Sequence, residues 1–215
     1  FEFVENANGQ VWYLREINGV VYCGHNAGIF AVDGNRLNRL SDYTGSLVLN
    51  SIADSDLILE GNYTGLSLFN RSSKPLQHLQ QYPSIKQPIK YIMRESKTGY
   101  WVGNEDNLQF VQFADDFSSI KANNSTTKGV PPNTQFYGVY DMGRQHVFAT
   151  DTGLFRFDHV LTEFTRYDEL NKILGPFATT NSIQAAHKNS FWYLTDSHLA
   201  PISIQNEGEA QIDSN

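Results

Sequence analysis

The residues that could do chemistry are six histidines (His25, His78, His146, His159, His187 and His198), one cysteine, Cys23, and scattered carboxylates such as Asp54, Asp56, Glu60, Glu105 and Asp106. No two histidines stand at a tight metal-binding spacing and no HExxH occurs, so a zinc site has no donor set to draw on. A lone cysteine excludes an internal disulfide, and its place in Val20-Val21-Tyr22-Cys23 reads as a small buried hydrophobe. Glycoside hydrolysis needs two carboxylates facing each other across a pocket. The acidic residues here, Glu60 among them, read instead as members of solvated turns. GxSxG, P-loop and dinucleotide fingerprints are absent. The expectation is a segment that is not an enzyme, with no cofactor and no metal.

What remains is hydrogen bonding and stacking. His25, Asn26, Asn62, Tyr63, Glu105, Asp106, Asp151 and Asp196 are amides, carboxylates and rings of the kind that pair with sugar hydroxyls and stack on pyranose faces. Each also has a plainer reading, because Asn, Asp and Thr are favoured in tight turns for backbone reasons. Which reading applies depends on the elements that carry them.

Those elements emerge from self-comparison. Five segments align without gaps: Tyr22–Ile29, Leu59–Leu66, Trp101–Leu108, Val147–Leu154 and Trp192–Leu199. A large apolar residue opens each and Ile or Leu closes it. The third position is small in four copies (Gly24, Gly61, Gly103, Ala149), and the seventh is Gly28, Gly65, Asn107, Gly153 or His198, types that tolerate positive φ. Each segment therefore predicts a strand end, a polar turn and the start of the next strand. The opening residues are spaced by 37, 42, 46 and 45 positions, the period of a four-stranded propeller blade of roughly 40 to 50 residues. Trp101 and Trp192 share the first position and read as blade-packing residues.

The predicted fold is an all-β propeller of four-stranded antiparallel blades, four to five in number, at 11–46, 47–87, 88–134, 135–179 and 180–206, with a polar tail at 207–215. In the first blade the strands are expected at 11–16, 20–24, 29–33 and 36–40, with Asn18-Gly19 as a tight turn. Later inner strands are expected at 47–53, 89–95, 135–140 and 182–187. Residues 122–133 read as a polar loop and 168–176 as one or two helical turns stopped by Gly175-Pro176. Either Phe1–Val4 supplies the outer strand of the fifth unit and closes a small ring, or the chain is a sector of a larger propeller. In such a blade the turn between the second and third strands shares a rim with the blade-to-blade connections, which gathers the eight candidate residues on one face.

Composition agrees. Of the 215 residues 40% are hydrophobic and only 18% charged, with 14 Phe and 11 Tyr, which favours many short strands over disorder. The net charge of -7 and the scatter of the 16 Lys and Arg exclude a polyanion-binding surface, so no nucleic acid is expected as partner. No apolar run reaches the roughly 18 residues that span a bilayer. The opening Phe1-Glu2-Phe3 reads as the start of an excised or processed piece.

The repeated unit, large apolar–x–Gly–x–x–x–Gly–Leu followed by an aromatic strand, resembles the two-component regulator propeller repeat. Tyr22–Leu40 and Ile58 through Asn62-Tyr63-Thr64-Gly65-Leu66 to Trp101-Val102-Gly103 carry the likeness best, and Asn107, Ala149, Leu194 and His198 depart from it. The resemblance implies a periplasmic sensor region of a Bacteroidetes membrane-spanning regulator, of the triple-tyrosine and helix-turn-helix or hybrid histidine kinase type, with its output module elsewhere on the chain. It also implies an oligosaccharide or other small ligand. The competing readings are a protein–protein scaffold that forms homodimers and, further off, a propeller hydrolase or lyase.

Overall fold

In the computed structural model, residues 4–5, 7–142, 145–179, 181–185, 190–194, 199–204 and 210–212 are described. The sequence forms five antiparallel sheets of four strands each, every one a simple meander in chain order. Blade 1 is β1 (Val11–Ile17), β2 (Val20–His25), β3 (Gly28–Asp33) and β4 (Arg36–Arg39). Blade 2 is β5 (Val48–Ser51), β6 (Leu57–Asn62), β7 (Gly65–Asn70) and β8 (Gln77–Gln81). Blade 3 is β9 (Tyr91–Arg94), β10 (Gly99–Gly103), β11 (Leu108–Phe113) and β12 (Ile120–Ser125). Blade 4 is β13 (Phe136–Asp141), β14 (His146–Thr150), β15 (Gly153–Asp158) and β16 (Glu163–Arg166), followed by α1 (Asp168–Leu174) and a short 3-10 turn. Blade 5 is β17 (Ser182–Ala185), β18 (Ser190–Leu194), β19 (Leu199–Ile204) and β20 (Ala210–Ile212). This is the all-β propeller fold the repeat predicts, with five blades where four to five are expected.

By its contacts the chain divides into two compact units, Phe1–Gly103 with Val111–Asn123, and Asn104–Phe110 with Asn124–Asn215. A four-stranded sheet has two faces to cover, and alternation along each strand sends successive side chains to opposite ones. In the first unit Tyr22, Ile29 and Ala31 of blade 1 pack on Leu49, Ile58 and Phe69 of blade 2. On the other face of blade 2, Leu59, Leu66 and Leu68 meet Tyr100, Val102, Val111 and Phe113 of blade 3. In the second unit Val147, Ala149 and Leu154 of blade 4 pack with Phe191, Tyr193 and Ile202 of blade 5, and Leu170 and Leu174 of α1 join them. Side chains of inner strands also stitch neighbouring blades: Arg15 Nη1 donates to Leu49 O at 2.7 Å, and Asn50 Nδ2 to Ile92 O at 3.0 Å.

The turns obey the expected chemistry. Asn18 (φ 54°) and Gly19 (φ 81°) both adopt positive φ, which a two-residue hairpin loop that matches strand twist requires. Gly28, Gly65 and Gly153 have φ of 135°, 141° and 127°. Asn107, at the same repeat position, is not among the positive-φ residues; its turn closes by Asn104 N–H donating to Asn107 O at 2.8 Å. His198 lies outside the described residues, as does part of the 182–187 strand.

Three expectations are corrected. Residues 122–125 belong to strand β12, and the chain just beyond them is pinned: Phe164 N–H donates to Lys128 O at 2.8 Å and Lys128 Nζ lies 2.9 Å from Glu163 Oε2. The tail at 207–215 contributes β20, which pairs with β19 through Ile202–Ile212, Ser203–Gln211 and Ile204–Ala210. The fifth unit thus has its own outer strand, and Glu5 forms a parallel bridge with Arg36 of β4. Phe1–Phe3 lie outside the described residues.

Candidate functional site

The second-to-third-strand turns of blades 1 to 4 repeat one device with different side chains. At the fourth position of the repeat, a side-chain acceptor takes the backbone N–H two residues on. His25 Nδ1 accepts from Ala27 at 3.0 Å, Asn62 Oδ1 from Thr64 at 2.9 Å, Asn104 Oδ1 from Asp106 at 2.9 Å and Thr150 Oγ1 from Thr152 at 3.1 Å. An imidazole, two amides and a hydroxyl do the same work, closing a turn that the strand ladder leaves unsatisfied.

The connections between blades are laced to these turns. Ser46 N–H donates to His25 O at 3.1 Å, Ile89 N–H to Asn62 O at 3.1 Å and Phe136 N–H to Glu105 O at 2.7 Å. At each of these places connection and turn lie together. The candidates separate by role. His25 is buried, edge-on to Phe30 at 5.6 Å, and its Nε2 reaches no hydrogen-bond partner. Asn62 is fully buried. Asp151 is exposed, but its Oδ1 accepts from Gln135 N–H at 3.0 Å. Glu105 is half-buried; Asn26 and Asp106 are exposed, and Tyr63 is half-exposed. Asp196 lies outside the described residues.

Tyr63 has a partner that the repeat does not reveal. Its ring meets Trp12 edge-on, with centroids 6.4 Å apart and planes at 83°. Trp12 is 39% exposed. The β1–β2 register slips between Val11 and Tyr13, and such a bulge re-aims the side chain it carries. Blade 4 slips at the matching place, between Phe136 and Gly138, but there Tyr137 packs against the apolar core. Tyr63 in turn lies over Gly45, where a Cβ would come within 2.1 Å of the ring. Asn26, Thr64 and this aromatic pair are carried by blades 1 and 2 and their connection.

Beneath that part of the rim is a buried polar network. Glu60, Asn62, Ser67 and Ser46 are all fully buried, which corrects the reading of Glu60 as a solvated turn residue. Asn62 Nδ2 donates to Glu60 Oε2 at 3.1 Å and to Ser67 Oγ at 2.9 Å, and the Tyr13 hydroxyl lies 2.6 Å from Ser46 Oγ. Burial pushes the Glu60 carboxyl above its usual pKa, against hydrogen bonds from Asn62, Ser46 and Ser67 that favour the charged form. Burial likewise raises the Tyr13 phenol, outweighing its hydrogen bond to Ser46. The second repeat position signals the oddity: Cys23, Val102, Phe148 and Tyr193 are apolar where the second copy has Glu60.

Cys23 is buried and its thiol is pushed up by burial. Trp101 is 1% exposed and donates its indole N–H to Glu95 Oε2 at 2.9 Å, as a packing residue should. Trp192 differs, at 38% exposed. Among the described residues, no helix is long and apolar enough to cross a membrane, and no three His, Cys, Asp or Glu side chains come together as a metal site.

The fold places the chain among β-propellers. It is similar to the extracellular domain of the one-component system BT4673 from B. thetaiotaomicron, with TM-score 0.70 and 17% identity over 98% of this chain and 28% of that one. It is also similar to the extracellular domain of the hybrid two-component system BT3049 from the same organism, with TM-score 0.66 and 14% identity over 95% of this chain and 30% of that one. The chain thus spans under a third of the length of these regulator domains. The β-propeller domain of Cps50 (Swd1) from Myceliophteria thermophila matches with TM-score 0.64 and 10% identity, over 96% of this chain and 72% of that one. A streptogramin B lyase matches with TM-score 0.60 and 11% identity, over 98% of this chain and 70% of that one. No protein-family model matches, and no curated protein matches.

Proposed function

We propose that this chain is the ligand-binding sensor propeller of an extracytoplasmic bacterial regulator, and that its ligand is a glycan-derived oligosaccharide. The observation that carries the reading is the Trp12–Tyr63 pair, one ring exposed and the other half-exposed. Aromatic faces with adjacent amide and hydroxyl groups suit a pyranose, which offers an apolar C–H face and a ring of hydroxyls. Asn26 and Thr64, both exposed, supply that polar complement. The likeness in fold to extracellular regulator domains supports a periplasmic location and a signalling role, with the output module on another part of the protein.

The reading is non-catalytic. Of the rim side chains that could act as acid or base, His25 closes its own turn through Nδ1 and Asp151 Oδ1 holds the Gln135 N–H of the preceding connection. The test is titration calorimetry against a panel of oligosaccharides. Binding by one glycan class, lost on Trp12→Ala with the melting temperature preserved, supports the proposal. No binding by any glycan, together with concentration-dependent dimerisation, favours the scaffold reading instead. Turnover of any bound sugar overturns the non-catalytic part.

A further inference from the structure

The five repeats act as internal controls on one another. At the second repeat position Cys23, Val102, Phe148 and Tyr193 are all buried, so the fold closes there without a carboxyl. Glu60 occupies the same position with no exposure to solvent, and its Oε1 reaches no hydrogen-bond partner. An unpaired polar atom in the interior costs stability, and a packed apolar residue in place of a buried ionisable one is often neutral or stabilising. Packing therefore does not account for Glu60.

Its connections do. Glu60 joins two arms that end on either side of the Trp12–Tyr63 pair. One arm runs through Asn62, whose Nδ2 donates to Glu60 Oε2 at 3.1 Å. Asn62 Oδ1 accepts from the Thr64 backbone N–H at 2.9 Å and from Thr64 Oγ1 at 2.8 Å, which fixes the turn that carries Tyr63. The other arm runs through Ser46, whose side chain favours the charged form of Glu60. Ser46 Oγ lies 2.6 Å from the Tyr13 hydroxyl, and Tyr13 follows Trp12 directly, at the end of the bulge that re-aims it. Between the arms, the blade 1 to blade 2 connection is bonded to both turns: Tyr63 N–H donates to Thr44 O at 3.0 Å, and Ser46 N–H to His25 O at 3.1 Å. All of these residues belong to one compact unit.

We propose that Glu60 is a positioning residue for the Trp12–Tyr63 pair: through Asn62 and Ser46 its buried side chain holds the two rings edge-on before a ligand arrives. A buried hydrogen-bonded network rigidifies what it touches, and a surface already held in its bound arrangement loses less freedom on binding. The inference deepens the sensor reading and rests on it for the use of the pair, but the placement of the rings needs no ligand.

The test is fluorine NMR of the whole chain, without ligand, carrying 5-fluorotryptophan at its 3 Trp positions. Trp12→Phe assigns the Trp12 signal, and Tyr63→Leu shows where that signal lies once the partner ring is gone. Glu60→Val, with the side chain of the third copy, should move the Trp12 signal toward the Tyr63→Leu position. It should leave the Trp101 signal in place and the denaturation midpoint at or above that of the parent. Glu60→Gln keeps a hydrogen-bonding group at the site and should leave Trp12 where the parent has it. Tyr13→Phe removes one hydroxyl, cuts the Ser46 arm at its far end and should give the Glu60→Val shift, which keeps the test decisive should valine prevent folding. A Trp12 signal unmoved by Glu60→Val and by Tyr13→Phe overturns the proposal. So does a lowered midpoint with Trp101 moving alongside Trp12, which assigns Glu60 to folding alone. Any oligosaccharide that binds the parent should bind Glu60→Val at least about tenfold more weakly, as lost pre-organisation requires, and Glu60→Gln equally well. Because the shifts are read without ligand, they decide the positioning whichever way the oligosaccharide panel falls.

Discussion

Asn62 Nδ2 donates to Glu60 Oε2 at 3.1 Å, two side chains on one strand with no exposure to solvent. A buried carboxyl held by neutral hydrogen-bond partners stays protonated further up the pH scale than an unfolded one. Linkage gives the sign. Between the unfolded carboxyl pKa, about 4.3, and the raised folded value, the native state keeps a proton that the unfolded chain has lost. Stability therefore falls as pH rises through this window, by up to about 1.4 kcal/mol per pH unit. Glu60→Gln removes the ionisation, so its stability should be flatter over that window and should exceed that of the parent at the upper end. Urea denaturation at several pH values checks this; a parent profile that rises through the same window contradicts it.

Asn171 fastens α1 to blade 4 with both ends of its amide. Its Oδ1 accepts from Leu154 N–H at 2.8 Å, and its Nδ2 donates to Leu154 O and Tyr167 O, each at 2.8 Å. Asn171→Leu strands the buried Leu154 N–H, at a cost of about 1–3 kcal/mol, while Leu154 O and Tyr167 O keep the backbone N–H of Tyr167 and of Asn171. Chemical denaturation should show a loss of that size, with hydrogen exchange rising first at Leu154.

Gly65 and Gly34 separate conformational strain from crowding. Both have positive φ, 141° and 55°, but a Cβ on Gly65 would lie 2.2 Å from Ile85 O whereas one on Gly34 meets nothing within 4 Å. Gly34→Ala should cost about 1–2 kcal/mol, the left-handed penalty alone. Gly65→Ala should cost clearly more, because a backbone carbonyl has to move. Paired denaturation midpoints decide it.

Cys23 reports global opening. Its thiol is buried and its ionisation is disfavoured by burial, so native protein should react with a disulfide reagent at least about a hundredfold more slowly than the urea-unfolded chain. Fast native labelling would show that β2 opens locally.

The repeat and its period lie in the sequence alone. The spacing of Tyr22, Leu59, Trp101, Val147 and Trp192 determined the strand–turn–strand units, since a period-two pattern can bury both faces only in stacked sheets. The helical turn at Asp168–Leu174 was legible for an equally local reason, its acidic start and Gly175 stop. The candidate site was legible only in part. Asn26 and Tyr63 were in view, but His25 and Asn62 proved to be turn-closing residues, because a motif cannot say whether a polar side chain points to water or back to its own backbone. Trp12 was hidden by a bulge, and Glu60 by a burial that depends on Tyr13 and Ser46, distant in sequence. The sequence made Leu59 and Leu66 members of an apolar series; only the tertiary structure decided that they meet Tyr100 and Val102 of blade 3, because burial depends on what packs against a face.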